Sequence, residues 1–446
     1  MEAPYSPWTT YRVSTRSDIE DISKKITFPY YDEHEPSALR LFEKLKADPI
    51  SVTQEHITLS KFYNNYRAIF GLYLPPLLNG RNAIVKTSPQ SYINEDVITD
   101  YYFERFRMSS RLASQARSPM ELWNDQRERF ALLEKSIINK EIATSRLKEL
   151  IESEWKPIPI FRPSWIKAIL REASRIIGTG KRLRVLDPLI GYGERFVAAI
   201  SLGMTYTGYD PNQSYTDEYT GMAADLASSI PDVKINTVSF ETSTEIQEVD
   251  IVFFSPILPG ERIYANRKIG IADDIMGMWL ELYLFPSLYK AWKSISNGGI
   301  LILDIHDTSR DSIVSFVNLF IEKMLEKSSW QGTIIVDEVE QIPVWVWRKT
   351  GTSNKVVWNK ELKRSIEKLF PTYIPLISRY FMMIRNPMLY RPFIQLAIRM
   401  IEKRKNISYE TFMNAIIPIL PFLMQEDKEE GYSKFIDILL QKIKEE

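Results

Sequence analysis

The chain has 446 residues, 44% of them hydrophobic and 26% charged, and it contains no cysteine. Such a composition belongs to a globular protein with room for two or three domains, and the missing cysteines exclude disulfides, cysteine-ligated zinc and thiol nucleophiles. Its 57 Lys and Arg residues balance 57 Asp and Glu residues, so no global basic field attracts nucleic acid and any such contact has to come from a local patch.

His34, His56 and His306 stand far apart in no metal-ligand spacing, so no metal is expected. The first residues, Met-Glu-Ala-Pro-Tyr-Ser-Pro-Trp, lack the basic start and apolar core of a signal peptide. The most apolar run, Phe412 to Met424, is interrupted by Pro418 and Pro421 and is too short to span a bilayer. A soluble protein with no membrane contact is expected. Its place is intracellular and cytoplasmic, or a viral factory or virion if the origin is viral.

Residues 1–60 mix prolines, aromatic residues and the acidic run Asp32-Glu33-His34-Glu35. From Ser60 to about Leu78 the spacing of Phe62, Tyr63, Tyr66, Phe70 and Tyr73 suggests one or two helices, which Pro75-Pro76 ends. Residues 97–150 read as long helices. Arg105, Arg107, Arg111 and Arg117 cluster there among Tyr101, Tyr102, Phe103 and Phe106. Two readings stand side by side: a basic–aromatic surface that grips nucleic-acid phosphates and bases, or a solvated helix partly neutralised by Glu104 and Glu121 with its aromatic residues turned inward. Pro157, Pro159 and Pro163 punctuate a linker from Trp155 to Pro163. It closes a mainly helical N-terminal domain at residue 154. Trp165 to Ile177 is the next helix.

Arg184 to Asn212 is the most informative stretch. Val185 and Leu186 fit a strand buried on both faces. Gly191 and Gly193 allow a sharp turn and a close ligand approach, and the helix after Gly193 aims its free N–H groups and positive dipole end at that ligand. Asp210 then ends a second strand, where an acid can bind a ribose diol. Position 196 is Phe196, not the third glycine of a dinucleotide fingerprint.

A third strand follows at Val233 to Val238, and a fourth, wholly buried, at Val249 to Phe254. A helix around Asp273 to Ser294 ends at the turn Asn297-Gly298-Gly299. Ile300 to Ile305 is the fifth strand, Ser312 to Lys327 a helix, and Thr333 to Val339 with Val344 to Arg348 an antiparallel pair closing the sheet. Residues 155–350 thus form one α/β domain. Residues 351–446 read as a helical C-terminal domain whose apolar stripes either pack on the core or offer a surface to a protein partner.

The start Asp187-Pro188 followed by Gly-x-Gly resembles motif I of class I S-adenosylmethionine-dependent methyltransferases, and Tyr209-Asp210-Pro211-Asn212 resembles their second acidic motif. With Phe240-Glu241, Val252-Phe253-Phe254-Ser255-Pro256, the run Trp279 to Pro286 and the strand Pro343 to Lys349, the chain resembles the phage and large-virus amino-methylating DNA methyltransferases (N6-adenine type). The resemblance implies a Rossmann-like seven-stranded sheet with helical additions at both ends, and S-adenosylmethionine as cofactor. Asp187, Pro188, Gly191, Gly193, Asp210 and Asn212 would bind it, with Phe240 and Glu241 at the adenine ring and Phe161 to Lys167 near the methionine end.

The family's catalytic motif is a polar residue, two prolines and an aromatic residue. The polar side chain and the next carbonyl accept hydrogen bonds from an exocyclic amine, and the ring stacks on a flipped base. Here it reads Ser255-Pro256-Ile257-Leu258. Ser255 and Pro256 keep the acceptor position, while the absent ring forfeits about 1–3 kcal/mol of stacking. Tyr264 is the candidate replacement, and Arg105, Arg107 and Arg111 are candidate nucleic-acid contacts. The resemblance implies methyl transfer to a base amine. Two alternatives stay open: an inactive methyltransferase fold serving as a scaffold or subunit, and a methyltransferase acting on an RNA 5′ end or a protein.

Overall fold

Val185 and Leu186, Ile251 to Phe254, Ile300 to Leu303 and Val344 to Trp347 alternate residue by residue between two separate buried clusters. A sheet covered on both faces produces that pattern. The computed structural model of the protein describes residues 10–29, 35–48, 52–55, 84–87, 95–112, 114–243, 247–258, 262–263, 279–306, 327–336 and 342–350, with Ile313, Val317, Phe320, Ile321 and Leu325 between.

The N-terminal part supplies β1 (Thr10–Arg12), α1 (Arg16–Lys25), α2 (Glu35–Ala47), β2 (Val52–Glu55), β3 (Ile84–Thr87), α3 (Asp96–Ser109) and β4 (Arg111–Leu112). Next come α4 (Pro119–Asn124), α5 (Gln126–Ser136), β5 (Ile137–Ile138), β6 (Glu141–Ala143) and α6 (Thr144–Leu150). The α/β part begins with α7 (Pro163–Ile177), β7 (Arg184–Asp187), α8 (Glu194–Ser201), β8 (Thr205–Tyr209), α9 (Thr216–Ala227) and β9 (Val233–Asn236). It continues with β10 (Val249–Phe254), β11 (Arg262–Ile263), α10 (Phe285–Ser294), β12 (Ile295–Leu303), β13 (Ser328–Val336) and β14 (Ile342–Lys349).

The main sheet runs in the order β2-β3-β13-β14-β12-β10-β7-β8-β9. From β12 to β9 the neighbours are parallel, and β14 lies antiparallel between β12 and β13. These seven strands, β13 to β9, make the expected Rossmann-like seven-stranded sheet, with the antiparallel pair at its end. Two further strands were not expected. β3 adds parallel to β13, and β2 adds antiparallel to β3, so the sheet has nine strands. The expected turn at Asn297-Gly298-Gly299 is instead an irregularity inside β12: Val249 pairs with Ile295 and Ile251 with Ile300. A Cβ on Gly299 would stand 2.7 Å from the Asp250 carbonyl, so the bulge needs a glycine there.

The long helices expected over 97–150 are several short ones around a hairpin. Asn139 and Lys140 both have positive φ, 53° and 62°, as a two-residue turn between twisted strands requires, and β5 and β6 pair across it. A second core forms here from Val13, Ile19, Trp123, Leu133, Ile142, Leu147 and Trp155 among others. α3 belongs to both cores. Its Met108 sits in the second one, while Ile98 and Phe103 join Phe42 and Leu45 of α2 in the sheet core. Lys167 of α7 fastens α2 by donating to the carbonyls of Leu45, Lys46 and Asp48, placing a cation at a helix C-terminus. α2 and α3 thus pack against the sheet domain. The helix expected at Ser312 to Lys327 is described only at its five buried apolar residues, and β13 starts at Ser328, ahead of the expected Thr333. The expected helices within 60–78 and 351–446 lie outside the described residues. Among the described residues no helix is long and apolar enough to cross a membrane.

Asp250 ties three strands together at the amino edge of the sheet. Its side chain is 2% exposed and accepts from the Arg184 backbone N–H and guanidinium, from Lys181 Nζ at 3.1 Å and from Ser296 Oγ at 3.1 Å. Burial disfavours its charge, but these donors outweigh burial and hold the carboxyl at about 2, below its ordinary 3.8. The stabilisation is thus complete above about pH 4 and lost as the pH falls through about 2. Asp250→Ala should lower unfolding free energy by about 2 kcal/mol at pH 7. In urea titrations its difference from the parent should shrink below pH 4.

Candidate functional site

The turn after β7 is built around a buried acid. Asp187 is 0% exposed. Its Oδ1 accepts the Leu189 N–H at 3.1 Å, and its Oδ2 accepts Arg195 Nε at 2.8 Å and the Tyr206 hydroxyl at 2.6 Å. Arg195 then reaches back to the carbonyls of Leu189 and Ile190. Burial disfavours the guanidinium charge, but Asp187 and Glu194 more than compensate and hold it protonated. Burial and the Asp187 charge keep the Tyr206 phenol neutral. Asp187 thus braces the turn from beneath, with Pro188 buried beside it.

The two turn glycines differ. Gly193 has φ 91°, and a Cβ there would lie 2.7 Å from the Met222 methyl, whereas Gly191 has φ 66° and nothing within 4 Å of a Cβ position. Gly193 is closed by packing; Gly191 faces open space and lines a cleft. Gly208 completes the fit, since its Cβ would stand 2.5 Å from Ile190 Cδ1.

Asp210 follows β8 as expected and is 4% exposed. It accepts the Gly191 N–H at 3.0 Å and the Asn212 N–H at 2.8 Å. Asn212 in turn caps the following turn through Ser214. Burial raises the Asp210 carboxyl to about 6 from its ordinary 3.8, with the two backbone N–H groups and the Tyr219 hydroxyl opposing. The expected adenine flank is packed shut on one side. Phe240 is 3% exposed, its ring lies 5.1 Å from that of Tyr209, and Lys290 Nζ stands 4.7 Å from its centroid. Burial lowers Lys290 to about 8, with Glu241 opposing. Glu241 itself is half-buried in the same turn, Phe240–Thr242.

The cleft beside the glycine turn is lined by Pro159, Phe161, Leu189, Ile190, Gly191, Tyr192, Glu194, Arg195, Ser255, Pro256, Ile257 and Asp304. Phe161 comes from the proline-rich linker, as expected. Ser255 and Asp304 are the first residues past the parallel pair Phe254 and Leu303, and the Asp304 N–H bonds the Phe254 carbonyl at 2.9 Å. Their side chains meet: Ser255 Oγ donates to Asp304 Oδ2 at 2.8 Å. Asp304 was not among the expected site residues; the signal was an acid interrupting the apolar run Ile300 to Ile305. Behind the motif, Leu258 is 5% exposed and Trp279 Nε1 donates to the Ile257 carbonyl at 3.0 Å, so the position of the family's ring is turned into the core.

The arginines do not form an open patch. Arg107 is 3% exposed, bonded to Asp100 (Nε to Oδ1, 2.8 Å), Glu152 (3.1 Å) and the Ile158 carbonyl. It is a core ion-pair residue, because Asp100 lies two helical turns back on the same face. Arg105 pairs with Glu218 of α9 and lies over Phe106, while Arg117 pairs with Asp125 and Glu128. Arg111 bonds the Gln115 carbonyl and stands in β4, which pairs antiparallel with β11. β11 belongs to the segment that follows Ser255, so this small ladder ties the N-terminal region to the wall of the cleft. Tyr264 lies outside the described residues. Phe103 is wholly buried, its ring 5.1 to 6.1 Å from those of Tyr192, Tyr215 and Tyr219, so this aromatic residue faces inward onto the glycine turn.

No family model matches the chain, and no curated protein matches it. Among solved structures, it is similar to a Listeria monocytogenes protein assigned to the class I S-adenosylmethionine-dependent methyltransferases, at 13% identity over 76% of this chain and 99% of that one, with TM-score 0.36. It is also similar to an rRNA methylase from Streptococcus thermophilus, at 14% identity over 43% and 98%, TM-score 0.28. A methyltransferase from Thiobacillus denitrificans bound to S-adenosyl-L-homocysteine aligns at 21% identity over 35% and 54%, TM-score 0.25. The fold assignment rests on the strand order and direction in this chain.

The raised Asp210 carboxyl gives a measurable signature. Between about pH 4 and about pH 6 the native protein binds a proton that the unfolded chain has lost, so stability falls as pH rises through that window. Asp210→Asn removes this penalty. Its unfolding free energy relative to the parent should therefore rise by up to about 3 kcal/mol from pH 4 to pH 7. A difference that is flat with pH would refute the assignment.

Proposed function

We propose that the protein is an S-adenosylmethionine-dependent methyltransferase acting on an exocyclic amine of a nucleic-acid base. The observation that carries this reading is one cleft joining the glycine turn to the Ser255–Asp304 pair at the carboxyl edge of the sheet, where open α/β sheets bind ligands.

The residues fit the cofactor. Gly191 leaves a cradle that any side chain would fill, and α8 begins immediately after Gly193 with its positive dipole end toward the turn. Asp210 accepts from two backbone N–H groups and from the Tyr219 hydroxyl, and an ionised carboxylate has about four acceptor sites, which leaves capacity for a ribose hydroxyl. S-adenosylmethionine held there would supply a methyl group on cationic sulfur to the acceptor nitrogen, which would give up a proton to water. Ser255 offers oxygen lone pairs to the N–H groups of that nitrogen, as its place in the motif implies. Phe161 and Pro159 line the cleft from the linker side. Arg111, on the β4–β11 ladder, is the candidate contact for the nucleic acid.

A second reading draws on Leu258 and Phe240. Both occupy positions where the family uses exposed rings, and both are buried, at 5% and 3% exposure. On that reading the fold is a scaffold that holds a protein partner, with residues 351–446 as the docking segment.

Titration calorimetry with S-adenosylmethionine and S-adenosyl-L-homocysteine separates the two. We expect micromolar binding by the parent. Gly191→Asn tolerates the positive φ but fills the cradle, and should weaken binding at least about tenfold, a loss of roughly 1.4 kcal/mol, with an unchanged melting temperature. No heat at millimolar ligand would exclude the enzyme. Radiolabelled methyl transfer to single-stranded DNA, RNA and protein then identifies the acceptor.

A further inference from the structure

The hydroxyl of Ser255 is directional, and Asp304 sets the direction. A serine hydroxyl has one hydrogen to give and two lone pairs to receive with, and it rotates to suit its surroundings. An ionised carboxylate can only accept. The 2.8 Å contact between Ser255 Oγ and Asp304 Oδ2 therefore places the Ser255 hydrogen on Asp304. What remains turned to the cleft is oxygen acceptor capacity alone.

The fold holds this pair firmly. β10 and β12 are parallel neighbours in register from Ile251↔Ile300 to Phe254↔Leu303. The Asp304 N–H continues that ladder by bonding the Phe254 carbonyl. One residue further on, the Ile305 carbonyl accepts from Trp345 Nε1 at 2.8 Å. Asp304 is thus fixed at both its own N–H and its neighbour's carbonyl. On the other strand, Trp279 secures the Ile257 carbonyl. Both side chains come from the ends of central, covered strands, so their relation does not depend on a loop.

The consequence concerns the nitrogen that is to be methylated. A hydroxyl free to rotate could donate its hydrogen to that nitrogen's lone pair, the same pair that has to form the new bond. A hydroxyl committed to Asp304 cannot. It accepts an N–H instead, which leaves the lone pair exposed and repels a carbonyl oxygen presented at the same spot. We infer that Asp304 is a positioning residue that acts through Ser255 and makes the cleft select an acceptor bearing N–H donors over an otherwise similar one bearing a carbonyl. This rests on the methyltransferase reading of the same cleft and extends it to a residue outside the catalytic motif.

The test needs no turnover. With the cleft saturated by S-adenosyl-L-homocysteine, the dissociation constants of adenosine and inosine, and of cytidine and uridine, are measured by calorimetry or ligand-observed NMR. Each pair exchanges an amine for a carbonyl on nearly the same ring. The parent should prefer the amine member by about tenfold, the value of one well-placed hydrogen bond with its mismatch penalty. Asp304→Ala should bring that ratio close to one by releasing the hydroxyl, and Ser255→Ala should do the same by removing it. The double variant should match Ser255→Ala, because a residue acting only through another adds nothing once that other is gone. Asp304→Asn, which retains an oxygen acceptor for the hydroxyl, should recover part of the ratio. Affinity for S-adenosyl-L-homocysteine should stay within about twofold in all four variants, well under the tenfold that 1.4 kcal/mol represents. A ratio that survives Asp304→Ala, or additive losses in the double variant, would overturn this inference while leaving the methyltransferase reading intact. Failure of the parent to bind S-adenosyl-L-homocysteine would overturn both.

Discussion

A carboxylate with no exposure to water governs the ligand-facing side of this molecule. Asp187 uses both oxygens on partners in the turn it supports, in the helix that follows and in the neighbouring strand. Without its charge, the Arg195 guanidinium would be a buried cation stripped of its ion-pair partner, a costly arrangement that proteins avoid. The two groups are therefore stable only together, and together they hold the Leu189 and Ile190 carbonyls and the Leu189 N–H. Those contacts turn Ile190 down onto Gly208 and leave Gly191 facing the cleft. The open cradle is the outcome of what lies beneath it.

A second arrangement follows from α3. One end of this helix lies in the small N-terminal core and the other in the sheet core, and Glu104 and Lys148, each 1% exposed, pair between α3 and α6. Arg107 adds a bond to the linker at Ile158, three residues before the cleft-lining Phe161. A rigid rod that touches the N-terminal unit, the linker and the aromatic residues over the glycine turn gives these regions one mechanical frame. Large interfaces of this kind suppress independent domain motion.

Much of the sheet was legible in the sequence. The apolar runs of β10 and β12 and the Gly-x-Gly turn are local signals, and they appear where periodicity and glycine chemistry put them. Asp210 at the end of β8 was readable for the same reason. The rest depends on partners distant in the chain. Arg107 reads as a surface cation until Asp100 and Glu152 close around it, and Phe240 reads as a ligand flank until Tyr209 and Lys290 cover it. Asp304 looks like the polar end of a strand, and only the parallel register beside β10 makes it Ser255's neighbour. The β5–β6 hairpin turns on Asn139-Lys140, which lacks the glycine that usually announces such a turn. β2 and β3, four residues each, are too short to carry a periodic signal.

The placement of β3 has a bearing on how the chain comes together as it is made. Lys86 and Thr87 pair with Ile335 and Val336, so the outer part of the sheet joins a segment of the N-terminal part to one near the end of the α/β part. The N-terminal core, whose β1 pairs with β6, is complete as soon as residue 155 has emerged. The β2–β3 pair is not, and keeps an unpaired edge until nearly all of the sheet-forming chain has followed. Pairings of such sequence separation are slow to form, and an open strand edge invites other chains in the meantime. Completion of this sheet during synthesis is thus set by the arrival of β13, which makes the interval before it the time when the nascent protein most needs shielding from its own copies.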